Sequence, residues 1–164
     1  MILLNRVLVA TDFDDTSKAA LEYGRNLARA FGATLHVLHV AERVAAMSAA
    51  EFNPTDLGDL QADVVNAANR RLNALLTDDD RRLLQARPMV LVSAAAAPAI
   101  VAYAKETHVD VIVVGTHGRG PVSHLFMGSV AEHVVRSAPC PVLVVRPSEH
   151  EFIVPDPVSV STRI

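Results

Sequence analysis

The sequence predicts a single-domain α/β protein, built on a five-stranded parallel sheet with helices on both faces. Three observations carry that expectation. Five short apolar runs alternate with stretches in which apolar residues recur at helical spacing. The runs are apolar throughout, the pattern of strands buried on both faces. The 164 residues, 51 % hydrophobic and 20 % charged, suffice for one substantial core and are too few for two comfortable ones.

Taken in order, Val7–Thr11 is the first strand and ends at Asp12. Ala20, Tyr23, Leu27 and Phe31 mark one face of a helix, with Asp14 as its N-cap and Gly32 as its stop. Thr34–Val40 is the second strand, so strand, helix and strand fit a right-handed βαβ unit. Ala41–Leu57, with Pro54, reads as a loop that could hold a helical turn. Asp59–Leu76 carries Leu60, Val64, Leu72 and Leu75 on one face and reads as a second helix. The polar run DDDRRLLQAR follows as a solvated connection. Met89–Val92 is the third strand. Ala97-Pro98 opens a third helix, with proline in the first turn, and Ile100, Tyr103, Ala104 and Thr107 on its face. Asp110–Val114 is the fourth strand, Ser129–Ser137 the last helix and Pro141–Val145 the fifth strand. The folded unit is expected over residues 1–147. Residues 148–164, with two prolines and no clear period, are expected as a tail, disordered or packed on a partner.

Several function classes are disfavoured by composition. A net charge of −3 gives no electrostatic footprint for nucleic acid or an anionic membrane. The one cysteine, Cys140, allows no disulfide within the chain and is compatible with a reducing compartment. It lies between two prolines with no basic neighbour, the setting of an inert thiol. No apolar run approaches the roughly 18 residues of a membrane span. Arg6 follows the first apolar residues, the reverse of a signal peptide's order, so a cytoplasmic location is expected. There is no GxSxG elbow for acyl chemistry.

The chemically marked stretch is GTHGRGPVSHLFMGSVAEHV, Gly115–Val134. In parallel sheets ligands bind beyond the carboxyl ends of strands, where strand order reverses. Gly115 and Asp12 close the fourth and first strands and are the places to inspect. The stretch is neither GxxxxGK[ST] nor GxGxxG. Ser129-Val-Ala-Glu132 reads as a capping box that starts the helix at Ser129. The first-turn N–H groups there, with Gly128 permitting close approach, would receive a phosphate. Gly115 and Gly118 would let a second stretch of backbone close over the same anion. On spacing alone, phosphate binding and a simple strand-to-helix turn stay equally open.

The spacing Gly115-x2-Gly118-x9-Gly128-Ser129 resembles the nucleotide-binding signature of the universal stress protein family. The stretch VLVATDFDDTSKAALEYGRNLARAFGATLHVLHV is similar to that family's opening strand, helix and strand, and the resemblance covers about residues 4–147. It implies an adenine nucleotide alpha hydrolase-like sheet of order 3-2-1-4-5, usually in a homodimer. It also implies an ATP site, or one for ADP or AMP. Carried over by position, Ala10, Thr11 and Asp12 would contact the nucleotide and Val40 would meet the adenine. Gly115, Thr116, His117, Gly118 and Arg119 would wrap ribose and phosphates, and Gly128, Ser129 and Val130 would hold the phosphates. Departures are Ala10 for a common proline, Asp14 for a common serine, and Pro121 and His124 for a common glycine and basic residue.

Other residues divide between functional and structural readings. Asp12 would share Mg²⁺ or Mn²⁺ with the phosphates; Asp14 reads as a cap, with two alternatives open, helping to hold that ion or repelling a phosphate if it points inward, and Asp15 reads as a solvated charge. His36 and His39 are three apart on a strand and point to opposite faces, so they do not chelate as a pair. Arg119 is the only permanent cation in the glycine stretch, which favours binding with at most slow hydrolysis. Pro141–Val145, apolar and without lysine, invites pairing with a second chain if it is an edge. Three functions stay open: a homodimeric, nucleotide-responsive regulator of the stress response, a slow ATPase or nucleotidyl-transfer enzyme, and a dimeric interaction module that binds no nucleotide.

Overall fold

The structure is a computed structural model and describes residues 1–44, 54–116 and 128–146, with the backbone alone for 54–56. Its elements are β1 (Arg6–Ala10), α1 (Asp15–Phe31), β2 (Thr34–Glu42), α2 (Pro54–Leu75), α3 (Asp78–Leu83), β3 (Arg87–Ser93), α4 (Ala96–Glu106), β4 (Val111–Gly115), α5 (Ser129–Ser137) and β5 (Val142–Val145). The five strands form one parallel sheet of order β3-β2-β1-β4-β5. The expected fold class and strand order are thus observed. The order reverses between β1 and β4.

Strand residues divide strictly by parity. Val7 and Val9 of β1, Leu35 and Val37 of β2, and Val111 and Val113 of β4 face α1 and α2, where they pack with Ala20, Leu21, Ala28 and Leu72. Leu8, Leu38, Ile112 and Val114 face α4 and α5, where they meet Ile100, Tyr103, Ala104 and Val134. The three inner strands β1, β2 and β4 are therefore buried on both sides, because each side packs against helices. Gly24 in α1 has a packing reason: a Cβ there would strike Cγ2 of Val9, so its absence lets α1 lie close on β1. Gly32 ends α1 in the left-handed region at φ 65°, and Ala33 donates to the Ala28 carbonyl at 2.8 Å.

Two expectations need correction. The chain expected as a loop at 41–57 gives its first two residues to β2 and its last four to α2. The run expected as a solvated connection contains α3, whose capping box joins Thr77 and Asp80. Asp80 is completely buried. Arg25 Nη2 donates to Asp80 Oδ2 at 2.8 Å and to the Leu75 carbonyl at 2.7 Å, and the Thr77 N–H donates to the same carboxylate at 2.9 Å. Burial alone would raise the Asp80 pKa, but the bonds from Arg25 and Thr77 outweigh it and hold the carboxyl below its ordinary value. A pair so enclosed is costly to break singly, on the order of 3–5 kcal/mol.

Candidate functional site

A cleft partly open to solvent lies at the carboxyl ends of β1 and β4. The reversal of strand order leaves a gap there between the connections that leave β1 and β4 in opposite directions. Ala10, Asp12, Val40, Gly115, Gly128 and Val130 all line it. Residues from four separate strands and loops, up to 120 positions apart in sequence, are thereby brought together.

The β1 end is heavily ordered. The Thr11 N–H donates to the Leu38 carbonyl at 2.9 Å, and the buried Thr11 and Ser17 hydroxyls share a hydrogen bond of 2.9 Å. The Asp14 N–H donates to Asp12 Oδ1 at 3.1 Å, while the Asp12 side chain stays exposed at the rim. Asp14 does not face the cleft as a ligand. Its Oδ1 accepts the Ser17 N–H at 2.7 Å and its two oxygens accept the Thr16 hydroxyl at 2.8 and 2.9 Å, so it caps α1. Burial would raise the Asp14 pKa, and these bonds outweigh that and lower it. Asp15 is exposed and pairs with Lys18 at 2.8 Å. Among the described residues, no three His, Cys, Asp or Glu side chains gather as a metal site.

The start of α5 is different, and the expected capping box is absent. The cap is Gly128, at φ −57° and ψ 149°, and among the described residues no side chain caps the first turn. Ser129 is exposed and is the first helical residue, and Glu132 pairs with Arg136 at 2.9 Å instead of reaching back. The Glu132 N–H takes the Gly128 carbonyl at 2.9 Å, which leaves the amides of Ser129, Val130 and Ala131 ahead of the first intrahelical bond. Gly115 also has a packing reason. A Cβ there would lie 2.7 Å from the Thr16 carbonyl oxygen, so its bareness serves the close packing of β4 on the start of α1. Thr116 is buried, with its N–H donating to the Val145 carbonyl at 2.9 Å. His117, Gly118, Arg119, Pro121, His124 and the tail lie outside the described residues.

His36 and His39 do point apart. His36 is buried against Tyr103 of α4, whose hydroxyl shares a 2.8 Å hydrogen bond with Nδ1, while Nε2 has no partner. His39 lies on the other face beside Phe13. Burial, then the charges of Arg87 and Arg6, hold the His36 pKa below its ordinary value.

A family model described as "Universal stress protein family" matches residues 4–146. The chain belongs to the universal stress protein family. A universal stress protein of Thermus aquaticus is 36 % identical over 154 residues, which span 88 % of this chain and 100 % of the relative. The solved universal stress protein UspA from Lactobacillus plantarum is 25 % identical with a TM-score of 0.67, covering 89 % of this chain and 100 % of its own. A universal stress protein solved in complex with cAMP is 24 % identical with a TM-score of 0.59, covering 90 % and 100 %, a likeness of fold.

Further lining residues of the cleft were not singled out from the sequence. Thr16 and Ser17 enter from the first turn of α1, Leu38 from β2, and Ala96 and Ile100 from α4. For Thr16 and Ser17 a signal existed, since the Asp14 cap puts the next turn at the strand end. For Ala96 and Ile100 only the three-dimensional course of α4 reveals it. Among the described residues, no helix is long and apolar enough to cross a membrane.

Proposed function

We propose that this universal stress protein binds an adenine nucleotide (ATP, ADP or AMP) in the cleft and acts as a homodimeric, nucleotide-responsive regulator in the stress response. The observation that carries the reading is the cleft's two-sided chemistry. Leu38, Val40 and Ile100 supply an apolar wall suited to a base. The first turn of α5, without a side-chain cap among the described residues, supplies N–H donors at the positive end of a helix dipole, suited to a phosphate. The cAMP complex of the same fold supports the choice of an adenine nucleotide.

In this reading Ala10, Thr11 and Asp12 contact the nucleotide, Val40 meets the adenine, and Gly128, Ser129 and Val130 hold the phosphates. Gly115, Thr116, His117, Gly118 and Arg119 complete the enclosure. Mg²⁺ takes one or two carboxylates together with phosphate oxygens and water, so Asp12 alone fits an ion that arrives on the nucleotide. With Arg119 the only permanent cation between 115 and 130, the role is binding, with at most slow hydrolysis. Dimerisation is assigned to β5, an edge strand of valines and leucine with Leu143 exposed.

The test is to denature the purified protein and analyse the released small molecules, with equilibrium titration of ATP and AMP alongside. An empty cleft that also ignores both nucleotides overturns the reading. A monomer at micromolar concentration in light scattering overturns the dimer.

A further inference from the structure

Phe13, next to Asp12, has φ +69°, the left-handed region that a bulky aromatic residue rarely enters. Its ring is gripped from two other elements. The His39 ring of β2 lies 4.4 Å away between centroids, tilted by 39°, and Cζ of Arg71 in α2 sits 4.0 Å from the Phe13 centroid. The same residues close around the turn. His39 Nδ1 donates to the Thr11 carbonyl at 2.8 Å, and the Phe13 N–H donates to Thr11 Oγ1 at 3.0 Å. Asp12 stands between two clamped neighbours, with its own carboxylate exposed at the cleft rim.

We propose that Arg71, Phe13 and His39 are positioning residues of the cleft: their stack holds the Thr11–Asp14 turn rigid before ligand arrives and so presents the Asp12 carboxylate to a ribose or a phosphate-bound cation. The proposal rests on the nucleotide reading above. A left-handed aromatic residue persists only where its surroundings over-determine it, and such sites cluster where pre-organisation matters. A turn ordered in advance spares the ligand the cost of ordering it. The stack also ties the turn to α2, which no other bond described at Thr11–Asp14 does.

The experiment compares Phe13→Leu, which keeps apolar bulk and removes the ring, with Phe13→Tyr, which keeps both. In ligand-free Phe13→Leu the amides of Asp12–Asp14 become mobile in NMR relaxation, and affinity for ATP and AMP falls about tenfold, while Phe13→Tyr behaves as wild type. Arg71→Gln, a change on the exposed side of the ring that opens no cavity, lowers affinity about threefold, and Arg71→Lys restores it. All affinities are read well below the melting temperature, where a merely structural role leaves them unchanged. Wild-type affinity in folded Phe13→Leu and Arg71→Gln overturns the proposal, as does a loosened turn with affinity intact. If the wild type binds neither nucleotide, the nucleotide reading fails separately. The relaxation measurement then decides the stack alone, and a turn that stays rigid without the ring refutes it.

Discussion

Two helices, α1 and α5, bring their first turns to the same cleft, and they begin in opposite ways. At α1 the Asp14 carboxylate bonds the Ser17 amide, and a second acid, Asp15, follows. One orphan donor is thereby satisfied, and the two acids offset the positive end of the dipole from within. At α5 a glycine stands at the cap, and among the described residues no side chain caps the first turn. One start is finished by the chain itself. The other leaves its first amides without a side-chain partner among the described residues. On the proposed reading, the difference teaches that a helix start offers an anion site by what its cap withholds.

The sharpest way to break the contrast is to give α5 its own acid. Gly128→Asp places a carboxylate where Asp14 stands in α1. Affinity for ATP and AMP is expected to fall at least a hundredfold, on the order of 2.7 kcal/mol, by titration calorimetry. Because glycine and aspartate differ by only a few tenths of a kcal/mol as caps, the melting temperature should stay nearly unchanged. Retained binding in a folded Gly128→Asp protein removes α5 from the site.

A smaller effect is expected at the seam where β4 meets α1. In Gly115→Ala the new methyl meets the Thr16 carbonyl at 2.7 Å, and backbone must shift. The cost should be about 1–3 kcal/mol of stability by denaturant unfolding. Unchanged stability would mean that the first turn of α1 yields freely.

Next comes the α1 cap itself. Asp14→Ala should cost about 1 kcal/mol of stability while leaving nucleotide affinity within about twofold, since that carboxylate serves the helix. The smallest effect is its pH dependence. The Asp14 pKa is lowered in the folded state, so its stabilisation is complete above the ordinary value of 3.8 and is lost as pH falls through the folded value. Asp14→Asn should flatten that part of the acid profile in urea unfolding at pH 2–5, the remaining slope including Asp80, which is shifted the same way. An acid profile identical to wild type would contradict the assignment.

The β1-α1-β2 unit was legible because its signals are local: an apolar run, an acid cap, a 3.6-residue period and a left-handed glycine all sit within a few residues of what they control. The strand ends were legible too: parallel-sheet topology points to Asp12 and Gly115, the helix start adds Gly128, and Val40 joins them only through the family resemblance. What escaped was decided at a distance. The run DDDRRLL looks like solvated surface until Arg25, 55 positions earlier, is placed against Asp80. Ser129 and Glu132 match a capping box, but Arg136 one turn on competes for the glutamate and wins. Gly115 sits in a motif that suggests ligand approach, and only the position of Thr16 shows what fills the space of its missing side chain. The Phe13 stack draws on three elements, and no periodicity joins 13, 39 and 71.

The Arg25–Asp80 pair has a consequence for how the molecule breathes. α3 is six residues long, too short to persist alone, and it follows a long surface helix. Its carboxylate is nonetheless bolted to the middle of α1, and the Leu35 N–H at the start of β2 donates to the Leu84 carbonyl just past its end at 3.0 Å. Local opening of that segment would strand a buried guanidinium, so the segment cannot fray independently. In hydrogen exchange its amides should therefore open together with the sheet, placing this short acidic helix in the slowest-exchanging part of the protein.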